Sequence, residues 1–417
     1  MADSGRDCRG TAGNSQQASA KDDGGRPQTI AEKGRNRYLK DTWQEIAPGE
    51  PRPANVAEIE AGLSAMWRSA AEGPGAESAV MRASALTLLI FVDGEEGARE
   101  VSGLIADVTR QNPCRAIVML IEPQATPAGL MATVSAHCHI PVAGEKQICS
   151  EQITLYARGE TGPELASVVL PLTVAGLPIY LWWRAGRFAV PTYFDQILRV
   201  TEHLIVDSAR FSATGTDLPD LAAWLGKYSG RIRLSDLNWA RATPWRELLA
   251  QCFDSPERRP FLDRIRSVRI EYERESARLA TQRAQGLLLA AWLATRLGWE
   301  FRRTERRGEN LPHAHYFQSG NREIEVTRAL RNLEGGGSGV CFSLKLEGDG
   351  ACFTFARGPD GKVVQTLAEV PGFAPLAGVV RIEVLDEIEI VNEELKLARR
   401  DRVYEEALAM VARMTTA

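Results

Sequence analysis

Leu86-Thr87-Leu88-Leu89-Ile90-Phe91-Val92 is an apolar run of strand length, and Ala116-Ile117-Val118-Met119-Leu120-Ile121 is a second. Between them, residues 95–110 set Val101, Leu104, Ile105 and Val108 on one helical face. An uninterrupted apolar run suits a strand covered on both faces, and strand, helix, strand in succession predicts a β-α-β unit with a parallel sheet.

The alternation continues outward from this unit. Residues 133–140 and 152–157 read as further strands, 162–170 as a helix, and Ile179-Tyr180-Leu181-Trp182-Trp183 as a strand. Residues 194–199 read as a helix, 202–207 as a strand and 218–225 as a short helix. Upstream, Asn55 with Glu58 three residues later marks a helix start, followed by Ile59, Leu63, Met66 and Trp67 on one face. The uncharged run from Leu165 to Trp183 has the length of a membrane span, but Pro171, Gly176 and Pro178 divide it into helix end, turn and strand. No membrane association is expected.

The texture changes beyond residue 254. Val268, Ile270 and Tyr272 alternate as in a half-buried strand, and residues 276–297 read as a long helix. Alternating strands follow, separated by Ser319-Gly320-Asn321, Gly348-Asp349-Gly350 and Pro359-Asp360-Gly361. A last strand is expected at 379–384 and a closing helix at 393–414. The reading is therefore an N-terminal α/β domain, residues 51–255, with a mostly parallel or mixed sheet and flanking helices. An α+β domain with an antiparallel sheet and helices follows at 256–417. Residues 1–50, rich in Gly, Ser, Ala, Asp and Arg, are expected to be a disordered tail and linker.

The chain has 417 residues, 44% hydrophobic and 25% charged, as in ordinary globular proteins. Its net charge of −4 provides no global attraction to nucleic acid or anionic lipid. Seven scattered cysteines without a C-x-x-C pair indicate neither a disulfide framework nor a cysteine zinc site. The N-terminus lacks the apolar core of a signal peptide, and a reduced cytoplasm is the expected compartment.

The missing motifs constrain the chemistry. There is no G-x-G-x-x-G, no phosphate-binding G-x-x-x-x-G-K-[ST], no G-x-S-x-G elbow and no H-E-x-x-H. No catalytic residue and no cofactor are assigned. His137/His139 and His313/His315 could each point two imidazoles to one side of a strand, but spacing supplies no third ligand, so no metal is assigned.

Asp207-Ser208 ends a buried strand, where open α/β sheets bind ligands; a structural turn is the plainer reading. Asp236 precedes Trp239, Arg241, Trp245 and Arg246, a segment in which Thr243 and Pro244 suggest an N-cap and first helical position. Tryptophan and arginine interleaved in this way suit a partner interface, base stacking, or an internal clamp. The clamp would set the arginines on Asp207 and Asp236. Acidic net charge disfavours nucleic acid.

Leu181-Trp182-Trp183, Val206-Asp207-Ser208, Asp236 through Leu248 (DLNWARATPWREL) and Ala290 through Trp299 (AAWLATRLGW) occur in that order. With Pro113-Cys114-Arg115-Ala116-Ile117 and Ser135-Ala136-His137-Cys138, they resemble the OpcA family of glucose-6-phosphate dehydrogenase assembly proteins. The resemblance covers roughly residues 55–415, and DLNWARATPWREL is its most specific part. It implies a non-catalytic partner that assembles with glucose-6-phosphate dehydrogenase and activates it allosterically. It carries over no catalytic residues. Trp182, Trp183, Asp207, Ser208, Asp236, Trp239, Arg241, Trp245 and Arg246 stand as candidates for partner contact or structural clamp. The alternative is a sugar-phosphate-binding protein or enzyme using the strand ends near Asp207 and Ser208.

Overall fold

The apolar runs pair as strands of one sheet. The computed structural model describes residues 44–46, 49–72, 81–139, 148–211, 217–228, 230–273, 281–305, 313–331, 341–359, 361–397 and 399–415. Of the expected disordered tail and linker at 1–50, only residues 44–46 and 49–50 are described, and 44–46 form a strand.

The first sheet contains β1 (Gln44–Ile46), β2 (Arg52–Pro53), β3 (Met81–Arg82), β4 (Leu86–Asp93), β5 (Cys114–Glu122), β6 (Gly129–His139), β7 (Ile148–Arg158), β8 (Ile179–Trp183), β9 (His203–Val206) and β10 (Arg233–Asp236). Its order is β1-β6-β7-β5-β4-β8-β9-β10, with β2 on β6 and β3 on β7. From β7 to β10 all neighbours are parallel, and β6 is antiparallel to β7. The helices α1 (Val56–Glu72), α2 (Gly94–Gln111), α3 (Leu165–Leu172), α4 (Asp195–Val200) and α5 (Asp217–Tyr228) connect these strands, and α6 (Leu237–Arg241) and α7 (Thr243–Cys252) follow β10. Asn55 Oδ1 accepts from the Ala57 N–H at 2.9 Å, capping α1.

The second sheet contains β11 (Ser267–Glu273), β12 (Glu300–Glu305), β13 (His313–Ser319), β14 (Arg322–Arg331), β15 (Cys341–Gly348), β16 (Ala351–Arg357), β17 (Val363–Glu369) and β18 (Leu376–Arg381). Its order is β12-β13-β14-β11-β15-β16-β17-β18. It is antiparallel apart from the parallel pair β11·β14. α8 (Thr281–Arg296) and α10 (Arg402–Thr415) pack on it, while α9 (Glu387–Lys396) packs on α2 and α6.

Three sequence expectations change. The closing helix is two helices, because Asp401 accepts the Tyr404 N–H at 2.9 Å and so starts a new helix. The last strand lies at Leu376–Arg381, slightly earlier than expected. Cys138 and Cys149 form a disulfide, although eleven residues apart, because the β6–β7 register sets them directly opposite with Cα atoms 4.1 Å apart.

Hydrophobic side chains of both sheets pack together. One core runs from Leu89, Trp183 and Val206 through Trp245 to Val268, Leu344, Phe353, Tyr404 and Val411. On the other face of the first sheet, Leu88, Ile90 and Val118 pack beneath α2 and against Ile390, Val391 and Leu395 of α9. Each such side chain contributes about 1.5–3 kcal/mol when fully buried. The C-terminal helices therefore belong to the core of the N-terminal sheet.

Candidate functional site

In the doubly wound sheet, the chain moves from β4 outward to β5 and β7, then returns to the other side of β4 as β8. A ligand crevice belongs at that reversal, outside the carboxyl ends of β4 and β8. Here Gly94, at φ 79°, turns β4 into α2, and the acidic residues Asp93, Glu95 and Glu96 surround the turn. Carboxylates at this position oppose a phosphate, which a helix N-terminus would otherwise attract.

The crevice is also filled. Asp93 Oδ2 accepts the Gly186 N–H at 2.8 Å, drawing the loop after β8 across the end of β4. Arg184, 2% exposed, donates through Nε and Nη2 to both carboxylate oxygens of Glu387 at 3.0 and 3.1 Å. Glu387 opens α9, whose first turn is fixed by the Asp386–Glu389 capping box. Glu100 lies 3.7 Å from Arg184 and 3.8 Å from Arg210.

A second polar cluster lies at the ends of β9 and β10. Arg241 donates to both oxygens of Asp207, at 2.7 and 2.9 Å. Burial alone would lower the guanidinium pKa, but the Asp207 carboxylate, with Glu387 and Asp236 nearby, outweighs it and the pKa is raised. Asp236 is buried and accepts N–H bonds from Ser208 and Asn238, each 2.9 Å, and the Tyr404 O–H at 3.1 Å. Burial, with a contribution from the nearby Asp207 carboxylate, raises its pKa to about 6, against the donors that favour the carboxylate. The Tyr404 hydroxyl is raised well above its ordinary range by burial and by Asp236.

The surrounding groups are paired. Ser208 Oγ accepts from Asn238 Nδ2 at 3.1 Å, and Asn238 Oδ1 accepts from Gln285 of α8 at 3.4 Å. Gln285 in turn accepts the Cys341 N–H at 2.8 Å, joining the cluster to the second sheet. Trp239 Nε1 donates to Asp401 at 2.7 Å. Arg246 does not bond to Asp236: its guanidinium lies 3.5 Å from the Trp239 ring centroid and donates to Trp239 O and Thr243 Oγ1. Thr243 is the first residue of α7 rather than its cap, because α6 runs almost directly into α7 through Ala242.

The structure thus brings Asp207, Ser208, Asp236, Trp239, Arg241 and Arg246 together. Trp182, Trp183 and Trp245 lie apart from this cluster, fully buried in the cores. Trp183 packs on Phe91 at 4.1 Å between centroids and donates to Arg187 O. The sequence reading missed Asn238, Gln285, Asp401 and Tyr404. Asn238 lay inside the quoted motif; Asp401 and Tyr404 have the spacing of a helix cap. Gln285 sits in an apolar helix without a local signal. His137 bonds to Gln152 and His315 to Thr304 and Arg328. Among the described residues no group of three or more metal-ligating side chains converges. Nor is any described helix long and apolar enough to cross a membrane.

These features define a doubly wound protein whose strand-end crevice is filled by its own charged side chains. Family models for the N-terminal and C-terminal domains of a glucose-6-phosphate dehydrogenase subunit match residues 105–223 and 232–408. The chain belongs to the OpcA family of glucose-6-phosphate dehydrogenase assembly proteins. A Synechocystis protein named for OpcA and the OxPP cycle is 32% identical over 323 residues, 75% of this chain and 66% of that protein. Its namesake in Nostoc punctiforme is 32% identical over 246 residues, covering 57% and 51%. The chain thus spans between half and two thirds of the length of these relatives. Among solved structures, aldose-aldose oxidoreductase from Caulobacter crescentus aligns with a TM-score of 0.41 at 10% identity, covering 78% of this chain and 94% of that one.

Proposed function

We propose that the protein is a non-catalytic assembly partner of glucose-6-phosphate dehydrogenase and activates it allosterically. The carrying observation is the filled crevice: Asp93 holds Gly186, and Arg184 holds Glu387, where a nucleotide would otherwise enter. Family membership supplies the partner. A partner that binds the active state more tightly shifts the enzyme population toward it. In this reading Asp207, Asp236 and Arg241 hold the two sheets in the shape that the partner meets.

Mixing purified protein with the dehydrogenase tests the proposal. The expected result is co-elution on size exclusion and faster NADP reduction, chiefly at subsaturating glucose 6-phosphate, with no reduction by the protein alone. Separate elution and equal rates at all substrate levels would overturn it. Calorimetric binding of glucose 6-phosphate to the isolated protein, lost in Ser208→Ala, would instead support the sugar-phosphate reading.

A further inference from the structure

β18 closes one end of the second sheet. Five of its six residues are exposed, Gly378 being the exception. Six of the nine exposed large hydrophobic side chains among the described residues fall between 373 and 385, so the apolar surface is concentrated here. Phe373 and Leu376 are each 56% exposed and Val379 68%. No charged residue occurs from Val370 to Val380, and none of the six strand residues is a proline. Edge strands of monomers are commonly protected by a lysine, a proline or a bulge. This one has only Arg381 at its end. Its free edge meets no strand among the described residues.

The pattern along the strand is self-complementary. Pairing Gly378 with Gly378 of a second copy, antiparallel, sets Leu376 opposite Val380 and Ala377 opposite Val379. Directly opposed residues share a face, so apolar meets apolar on both faces. Moving the axis by a whole residue toward Ala377 sets Pro375, which has no N–H to donate, opposite Val379. Moving it by a whole residue toward Val379 sets Arg381 opposite Ala377. Glycine at the axis is also required within the chain, because a Cβ there would lie 2.9 Å from Thr366 Oγ1. A heterologous strand would need no such symmetry about Gly378.

We infer that β18 is a dimerisation edge, pairing antiparallel with β18 of a second copy about a two-fold axis at Gly378. The contact is isologous and closes at two chains, joining the two sheets edge to edge. This surface is independent of the dehydrogenase reading.

Sedimentation across a concentration series, on the full chain, tests it. Wild type is expected at twice the monomer mass. Val379→Lys buries an ammonium in the seam and sets two of them diagonally across the axis, which should raise the dimer dissociation constant by about 100-fold or more. Unchanged circular dichroism would show that the variant folds. In Ala377→Cys/Val379→Cys, mild oxidation should cross-link the dimer through 377 and 379. A wild type that stays monomeric overturns the inference. So does a dimer insensitive to Val379→Lys, or a double-cysteine variant that does not cross-link.

Discussion

The carboxyl ends of the first sheet and the free edge of the second are both places where a β-structure stops, and they end in opposite ways. At β4, β8, β9 and β10 the strand ends are covered by chain segments from elsewhere: Arg184 meets Glu387, Arg241 meets Asp207, and Tyr404 meets Asp236. At β18 Leu376, Val379 and Val380 remain exposed, Val379 most of all. Charged groups buried at the first place must be paired within the chain, since an unpaired buried charge is costly. Apolar groups at the second place carry a smaller cost singly and gain from association. The contrast locates internal structure in the polar cluster and intermolecular contact at the apolar edge.

Arg241→Ala is the largest blow to the sealed end. It leaves the Asp207 carboxylate, 4% exposed as a side chain, without its cation. A loss of about 3–5 kcal/mol in unfolding free energy is expected from urea titration. A variant as stable as wild type, with weakened dehydrogenase binding, would move Arg241 from the interior to an interface.

Asp236 sharpens the same point through pH. Its folded pKa of about 6 lies above the ordinary 3.8, so between these values the folded chain holds a proton that the unfolded chain has released. Stability from this group is therefore complete below about pH 4 and is lost as pH rises through about 6. Asp236→Asn removes the titration. Its stability relative to wild type should improve by up to about 3 kcal/mol between about pH 4 and pH 7, measured by denaturant titration at each pH. A difference that does not vary with pH would mean that Asp236 is not buried as a titrating group.

Arg246→Ala should cost less, about 1–2 kcal/mol, from the lost ring contact with Trp239 and two hydrogen bonds. Val380→Lys, at the bare edge, should leave the unfolding free energy of the monomer, measured at high dilution, within about 0.5 kcal/mol of wild type. A large loss there would mean that the edge is covered within its own chain, and the contrast would fail.

The parallel sheet was legible because Leu86–Val92 and Ala116–Ile121 are too uniformly apolar to be anything but doubly covered strands. β10 was not: Arg233-Leu234-Ser235-Asp236 is short and half polar, and becomes a strand only by pairing with β9. The candidate cluster was legible in its acidic and aromatic members, since Asp207 ends a buried strand and Trp239 sits beside arginines. Its closure was not, because Gln285, Asp401 and Tyr404 come from helices that sequence spacing cannot set against β10. The Cys138–Cys149 pair was hidden for the same reason: a register, not a spacing, brings the sulfurs together. Exposure of β18 was equally unreadable, since Leu376–Val380 has the composition of an interior strand.

The return of α9 to the first sheet bears on how the chain folds as it is made. Ile390, Val391 and Leu395 complete the layer beside α2, and Glu387 neutralises Arg184 at the end of β8. A ribosome that has released only the first 380 residues presents a sheet with one apolar face partly uncovered and a buried-type arginine without its partner. Domains generally fold as units during synthesis. Here part of the cover of the α/β half is encoded after the second sheet, so that layer is complete only once residues 387–395 are in place.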